Sequence, residues 1–164
     1  MTRRLPRDSL VLIDSNLAIL LCVGLSGAGN IMKHKRLASF DSHDFDLLED
    51  LLSTAAGLVF SPYVLSETSN LVRQTGDPLK RELSIILKRL VLGGSEIQMQ
   101  CVKIVEDSHC LFLGMTDAAL LSILDAHPNI LLLTVDLDLY LAAAARGHDT
   151  INFTHVRDQR PDYR

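Results

Sequence analysis

Short apolar runs alternate with amphipathic segments along most of the chain. Four runs have the length and composition of buried strands, and they cover residues 10–13, 58–60, 130–135 and 150–153. Apolar residues at helical spacing predict helices between them, over residues 17–23, 45–57, 61–74, 79–92, 117–126 and 137–146. This alternation predicts an α/β fold in which a central parallel β-sheet is flanked by α-helices.

Turn-forming residues mark several boundaries between these elements. Ser61-Pro62 predicts a helix start, because Ser caps free amides and Pro tolerates the first helical position. Thr116 is a second candidate cap, for the helix that begins at Asp117. Glycines at the end of the first helix predict that it stops there and that a loop follows to Asp41, whereas the segment from Gly93 to Gly114 has no clear pattern.

The length and composition indicate one globular domain. A chain of 164 residues with 48% hydrophobic and 22% charged residues can bury a sizeable core. We expect a single domain over residues 1–164, with a core at about 9–153 and tails at 1–8 and 154–164. The net charge of −4 argues against a protein that binds polyanions over its whole surface, although it leaves room for local phosphate contacts.

Cysteine and histidine usage excludes some other kinds of site. The three cysteines are odd in number and lack a Cys-x-x-Cys spacing, so neither a disulfide framework nor a zinc site is indicated. The uncharged stretch at 15–32 is interrupted by glycines and follows Asp14, which argues against a signal peptide or a membrane span. A reduced, cytoplasmic protein without a membrane association is therefore expected.

Acidic residues recur at the ends of the apolar runs. Asp14 and Asp136 each follow a predicted strand, Glu67 lies inside the Ser61-capped helix, and Asp117 opens a later helix. A carboxylate beside a buried strand costs desolvation free energy unless a cation compensates it. Several such carboxylates in one chain favour a hard divalent cation, Mg²⁺ or Mn²⁺.

Each of these residues also has a plainer interpretation. Asp14, Asp117 and Asp136 could be helix caps or first-turn acids, which helix N-termini favour in any case. Glu67 could be an ordinary exposed residue in the middle of a helix, and Asp138 could be a surface acid. Thr134 could be only a strand residue.

Five segments in order resemble the PIN-domain family of metal-dependent ribonucleases, which includes many toxins of bacterial toxin-antitoxin pairs. They are Val11-Leu12-Ile13-Asp14-Ser15-Asn16, the helix 61–71 with Glu67, Gly114-Met115-Thr116-Asp117-Ala118, Thr134-Val135-Asp136-Leu137-Asp138-Leu139, and residues 145–153. The resemblance covers roughly residues 9–153. The 24–41 loop and the basic helix at 79–92 depart from the compact members of the family.

The resemblance implies a set of site residues. Asp14, Glu67, Asp117 and Asp136 match the acidic quartet that binds Mg²⁺ or Mn²⁺ and carries catalysis, and Asp138 matches a frequent extra metal ligand. Asn16 and Thr134 match polar residues that assist near the site. The family also implies an RNA substrate, a homodimer and a possible antitoxin partner.

Basic residues provide candidate RNA contacts. Lys33, Lys35 and Arg36 are clustered in the predicted loop, and Arg73 lies near the end of the predicted Glu67 helix. Such residues can bind the RNA backbone through its phosphates, although basic clusters are often only solvated surface.

The resemblance therefore implies a metal-dependent endoribonuclease that hydrolyses RNA phosphodiester bonds, with the toxin of a toxin-antitoxin pair as one role of such an enzyme. The alternatives are a PIN nuclease of RNA processing or decay without an antitoxin, and a catalytically silent PIN-fold module that binds RNA or protein. Val135-Asp136-Leu137-Asp138 weakly suggests a haloacid-dehalogenase phosphatase, but too little chain follows it for the rest of such a domain.

Overall fold

Five parallel strands form one sheet in the computed structural model, which describes residues 5–6 and 8–162. The strands are β1 (Leu10–Ile13), β2 (Gly57–Phe60), β3 (Ser95–Glu96), β4 (Ile130–Thr134) and β5 (Thr150–Asn152), and their order is β3-β2-β1-β4-β5. The helices are α1 (Ser15–Ser26), α2 (Ser42–Leu52), α3 (Pro62–Val72), α4 (Leu79–Gly93), α5 (Cys101–Glu106), α6 (Cys110–Ala126), α7 (Leu137–Ala145) and α8 (Phe153–Arg157). This architecture confirms the predicted α/β class, with a parallel sheet flanked by helices as in a PIN-like domain.

The central strand, β1, and its neighbour β4 end side by side. β1 and β4 pair in parallel, with Ile13 opposite Leu133, and all five residues of β4 are buried. Continuous apolar sequence is what a strand covered on both faces requires. Because both strands end at the same edge, the residues that follow them, Asp14 and Asp136, are brought to one side of the sheet.

Helix α1 extends past the point where the glycines were expected to end it. It runs to Ser26, and nine of its 12 residues are buried, so packing against the core outweighs the low helix propensity of Gly24. Gly24 is also the place where α1 meets the ring of Phe45 on α2. A Cβ atom at Gly24 would lie 2.0 Å from Phe45 Cδ2, so only glycine fits without movement.

We expect Gly24→Ala to destabilise the protein by about 1–3 kcal/mol, the usual cost of overpacking a core. Helix propensity alone predicts that the substitution would stabilise the protein, because alanine favours a helix more than glycine does. Chemical denaturation measures the change, and Gly29→Ala is the control because no heavy atom lies within 4 Å of its added methyl group. An unchanged or higher stability for Gly24→Ala would contradict the tight α1–α2 contact.

Two other segments differ from their predictions. The predicted loop contains two 3₁₀ helices, Ala28–Lys33 and Lys35–Leu37. The helix predicted to begin at Asp117 begins slightly earlier, just after Gly114, where φ is +82°, and a short helical segment from Cys110 precedes this break. Glycine adopts this conformation without a steric penalty, so the break can redirect the chain at that residue.

The C-terminal segment predicted as a tail is partly structured. α8 packs Val156 into the core, and the Nε of buried Arg157 donates to Asp44 Oδ1 over 2.9 Å. In the described part of the chain, no helix combines the length and the apolar character needed to cross a membrane.

Candidate functional site: an acidic pocket at the strand ends

A pocket of about 260 Å³ lies at the carboxyl ends of β1 and β4. The four predicted catalytic acids line it, although they come from four separate parts of the chain. Its lining consists of Asp14, Ser15, Asn16, Arg36, Glu67, Leu113, Gly114, Met115, Thr116, Asp117 and Asp136.

Asp14 is the most deeply buried of the four acids, with 2% of its surface exposed. Its Oδ1 caps α1 by accepting from the Leu17 amide at 2.8 Å, and its Oδ2 accepts from the Thr134 hydroxyl and from the Val135 amide at 2.9 Å. Burial raises the pKa of Asp14, while the bonds from Thr134, Leu17 and Val135 act in the opposite direction. Asp14 is therefore both a helix cap and a pocket residue, so its two interpretations are compatible.

Thr134 links the two strand ends. Its hydroxyl donates to Asp14 and accepts from the Asp136 amide at 3.0 Å, so one side chain fixes the positions of both acidic residues. Asp136 Oδ1 in turn caps α7 by accepting from the Leu139 amide at 2.8 Å. Thr134 is fully buried and is absent from the pocket lining, so it positions the acids from beneath.

Glu67 reaches the pocket from α3. Ser61 caps this helix and Pro62 begins it, as predicted. The Ser15 hydroxyl donates to Glu67 Oε2 at 2.9 Å, which ties the carboxylate to the start of α1. Ser15 is a site residue that was not predicted individually, and its position directly after Asp14 is the one local signal for it.

Asp117 is a further acid of the pocket whose ionisation is disturbed. Burial first, and then the charges of Asp136, Asp14 and Glu67, raise its pKa from 3.8 to about 7. No hydrogen bond from within the described residues stabilises its carboxylate. The four acids thus repel one another across the pocket, and at Asp117 this repulsion adds to the effect of burial.

Arg36 brings a positive charge to the acidic pocket. Its Nε donates to Asn16 Oδ1 at 3.2 Å, so this predicted helper residue holds an arginine at the pocket. Because Arg36 and Asn16 are 20 residues apart, spacing along the chain gave no sign of the contact.

Other predicted residues lie outside the pocket lining. Asp138 is exposed in the first turn of α7, and Arg73 is exposed at the C-terminal end of α3. Lys33 and Lys35 line a different pocket beside the 3₁₀ helices. The structure therefore brings together the four acids, Asn16 and Arg36, and leaves these four residues apart from them.

The oxygen donors of the pocket suit Mg²⁺ or Mn²⁺. Four carboxylates line one partly buried pocket, and carboxylate oxygens are hard ligands of the type these ions prefer. The carboxylates also repel one another, and a bound cation would relieve that repulsion. Within residues 5–6 and 8–162, no three His, Cys, Asp or Glu side chains already stand as a metal-ligand group. A bound ion would therefore have to draw the carboxylates towards itself.

Comparison with protein-family models, curated proteins and solved structures finds no match to this chain. Any functional conclusion must therefore come from the chemistry of the pocket.

Proposed function

We propose that the protein is a PIN-like, Mg²⁺- or Mn²⁺-dependent endoribonuclease that hydrolyses RNA phosphodiester bonds at the acidic pocket. The observation that carries this proposal is the convergence of Asp14, Glu67, Asp117 and Asp136 on one pocket from separate elements. Helix capping accounts for the positions of Asp14 and Asp136, but it does not account for Glu67 or Asp117.

Hydrolysis of a phosphodiester needs a nucleophilic water and neutralisation of the charge that develops on the phosphate. A divalent cation held by the carboxylates supplies both, because it lowers the pKa of a bound water and polarises the phosphoryl oxygen. The protein holds Asp14 rigidly through Thr134 and Val135, whereas Asp117 has freedom to adjust to a ligand. Arg36 would contact the phosphate itself.

The physiological role that we propose is that of a toxin controlled by an antitoxin, and the alternatives are RNA processing or a silent binding module. Catalysis separates the nuclease proposals from the silent module. A small antitoxin gene beside this one would separate the toxin from a processing enzyme.

The test is incubation of purified protein with mixed cellular RNA in Mg²⁺, in Mn²⁺ and in chelator. We expect cleavage only with metal, and a loss of about 10-fold or more in Glu67→Gln, since even residues that only support metal ligands cost about 10–100-fold. Glu49→Gln is the matched control, because it makes the same change on the exposed face of α2. Equal cleavage by both variants would indicate a contaminating nuclease, and no cleavage by the wild type would favour the silent module.

A further inference from the structure

The segment Lys33–Arg36 separates two pockets of opposite character. Arg36 lines the acidic pocket, whereas Lys33 and Lys35 line a second pocket of about 270 Å³. The far wall of the second pocket is formed by the turn between α3 and α4, with Gln74, Thr75, Gly76 and Leu79. No acidic residue is part of this lining within the described chain.

His34 anchors the segment between its two exposed lysines. It is 2% exposed, and its Nδ1 accepts from the Arg36 amide at 3.2 Å. Its Nε2 therefore carries the hydrogen and donates to the Leu71 carbonyl at 3.1 Å. Because both ring nitrogens are used and the ring is buried, the neighbouring residues are held in place on the surface.

The cationic groups themselves are available to a ligand. Lys33 Nζ has only a long contact of 3.4 Å to Asn30 Oδ1, and Lys35 has neither an ion pair nor a side-chain hydrogen bond with any described residue. Arg36 uses its Nε on Asn16, which leaves its two terminal nitrogens directed to no described partner. A guanidinium held in this way can bind a phosphate with two parallel hydrogen bonds.

From this arrangement we infer that an RNA strand crosses the Lys33–Arg36 segment. Arg36 holds the phosphate at the acids, and the pocket of Lys33 and Lys35, called here the lysine pocket, takes a neighbouring phosphate of the same strand. The inference rests on the proposed function. It adds the path along which the RNA strand leaves the acidic pocket. A polyanion fits both pockets because its charge is continuous, and lysines bind phosphates without reading sequence.

The test measures binding of a labelled 12-nucleotide oligouridylate in chelator, over a range of salt concentrations. Each phosphate contact in a single strand contributes about 0.7 to the slope of log K against log salt. We expect the double variant Lys33→Gln/Lys35→Gln to lose about 0.7 from this slope, the share of the one phosphate in the lysine pocket, and to bind about 10-fold more weakly at low salt. The matched control, Lys88→Gln/Arg89→Gln, removes the same charge from exposed positions of α4 and should retain the wild-type slope.

Several outcomes would overturn the inference. An unchanged slope in the lysine-pocket variant, or an equal loss in the α4 variant, would show that the strand does not use this pocket. If one of these results is found and the wild type still cleaves RNA in Mg²⁺ or Mn²⁺, the proposed function stands, but the inferred path of the RNA strand is wrong. If the wild type neither binds nor cleaves RNA, both proposals fail together. Thermal melting of each variant checks that the fold is intact.

Discussion

Replacing Asp117 by Asn is expected to raise the melting temperature of the metal-free protein at pH 8 by about 2–4 °C, the shift that ~1 kcal/mol produces in a domain of this size. In the wild type, ionised Asp117 lies among three other acids, and burial together with their charges raises its pKa to about 7. The variant removes the charge but keeps the size and shape of the side chain. The same substitution should abolish much of the stabilisation that metal provides.

The pH dependence of stability follows from the direction of the pKa shift. The Asp117 pKa is raised in the folded state, so between about pH 4 and pH 7 the unfolded chain releases this proton first. Ionisation of Asp117 therefore lowers the stability of the wild type progressively over this range, and the full cost is present above pH 7. The gain from Asp117→Asn should vanish near pH 4 and be largest at pH 8.

Metal should reverse the order of the two proteins. A ligand at 100 times its Kd stabilises a folded protein by about 2.7 kcal/mol. A 10–100-fold loss of metal affinity in the variant would remove about 1.3–2.3 kcal/mol of that gain. Thermal melting with Mg²⁺, Mn²⁺ and chelator measures the effect, and Asp46→Asn, an exposed acid on α2, is the matched control.

Two results would contradict this account of the pocket. Equal metal-induced shifts in the wild type and in Asp117→Asn would show that Asp117 does not bind the cation. A lower metal-free stability in the variant at pH 8 would show that the repulsion among the acids is weaker than an interaction that the Asp117 carboxylate makes.

The strands and the acids that follow them could be predicted because their signals are local. Apolar runs of four or five residues bounded by polar or turn-forming residues, as in β1 and β4, are short enough to favour a buried strand over a buried helix. Parallel pairing places the residues that follow both strands at the same edge of the sheet. Asp14 and Asp136 could therefore be assigned to a common site from the sequence alone. Ser61-Pro62 located α3, and with it Glu67, by equally local capping rules.

The features that could not be predicted depend on contacts between distant parts of the chain. The break at Gly114 lies within an apolar segment that itself has helical potential, so nothing nearby marks the positive φ. Gly24 was expected to end α1, but burial of its neighbours keeps the helix intact. Arg36 is held at the acidic pocket by its hydrogen bond to Asn16, and no pattern of neighbouring residues predicts this contact.

The ion pair between α2 and α8 also joins distant parts of the chain and should be sensitive to substitution. Asp44 is completely buried, and its Oδ1 accepts from Arg157 Nε at 2.9 Å, 113 residues away. Its Oδ2 accepts from the Asp41 amide at 3.0 Å and completes the capping box of α2. Arg160 adds a second contact to the same carboxylate at 3.1 Å. One carboxylate therefore joins the start of α2 to the C-terminal segment.

We expect Asp44→Ala to destabilise the protein by about 3–5 kcal/mol, because the buried guanidinium loses the nearest carboxylate and α2 loses part of its cap. The control is Asp46→Ala, which removes an exposed acid from the same helix and should change stability by less than about 0.5 kcal/mol. Urea denaturation followed by circular dichroism measures both variants. The double variant Asp44→Leu/Arg157→Met should recover part of the loss, since apolar side chains can replace a buried ion pair at little cost. If Asp44→Ala proved no more harmful than Asp46→Ala, the ion pair between α2 and α8 would contribute nothing measurable to the stability of the fold.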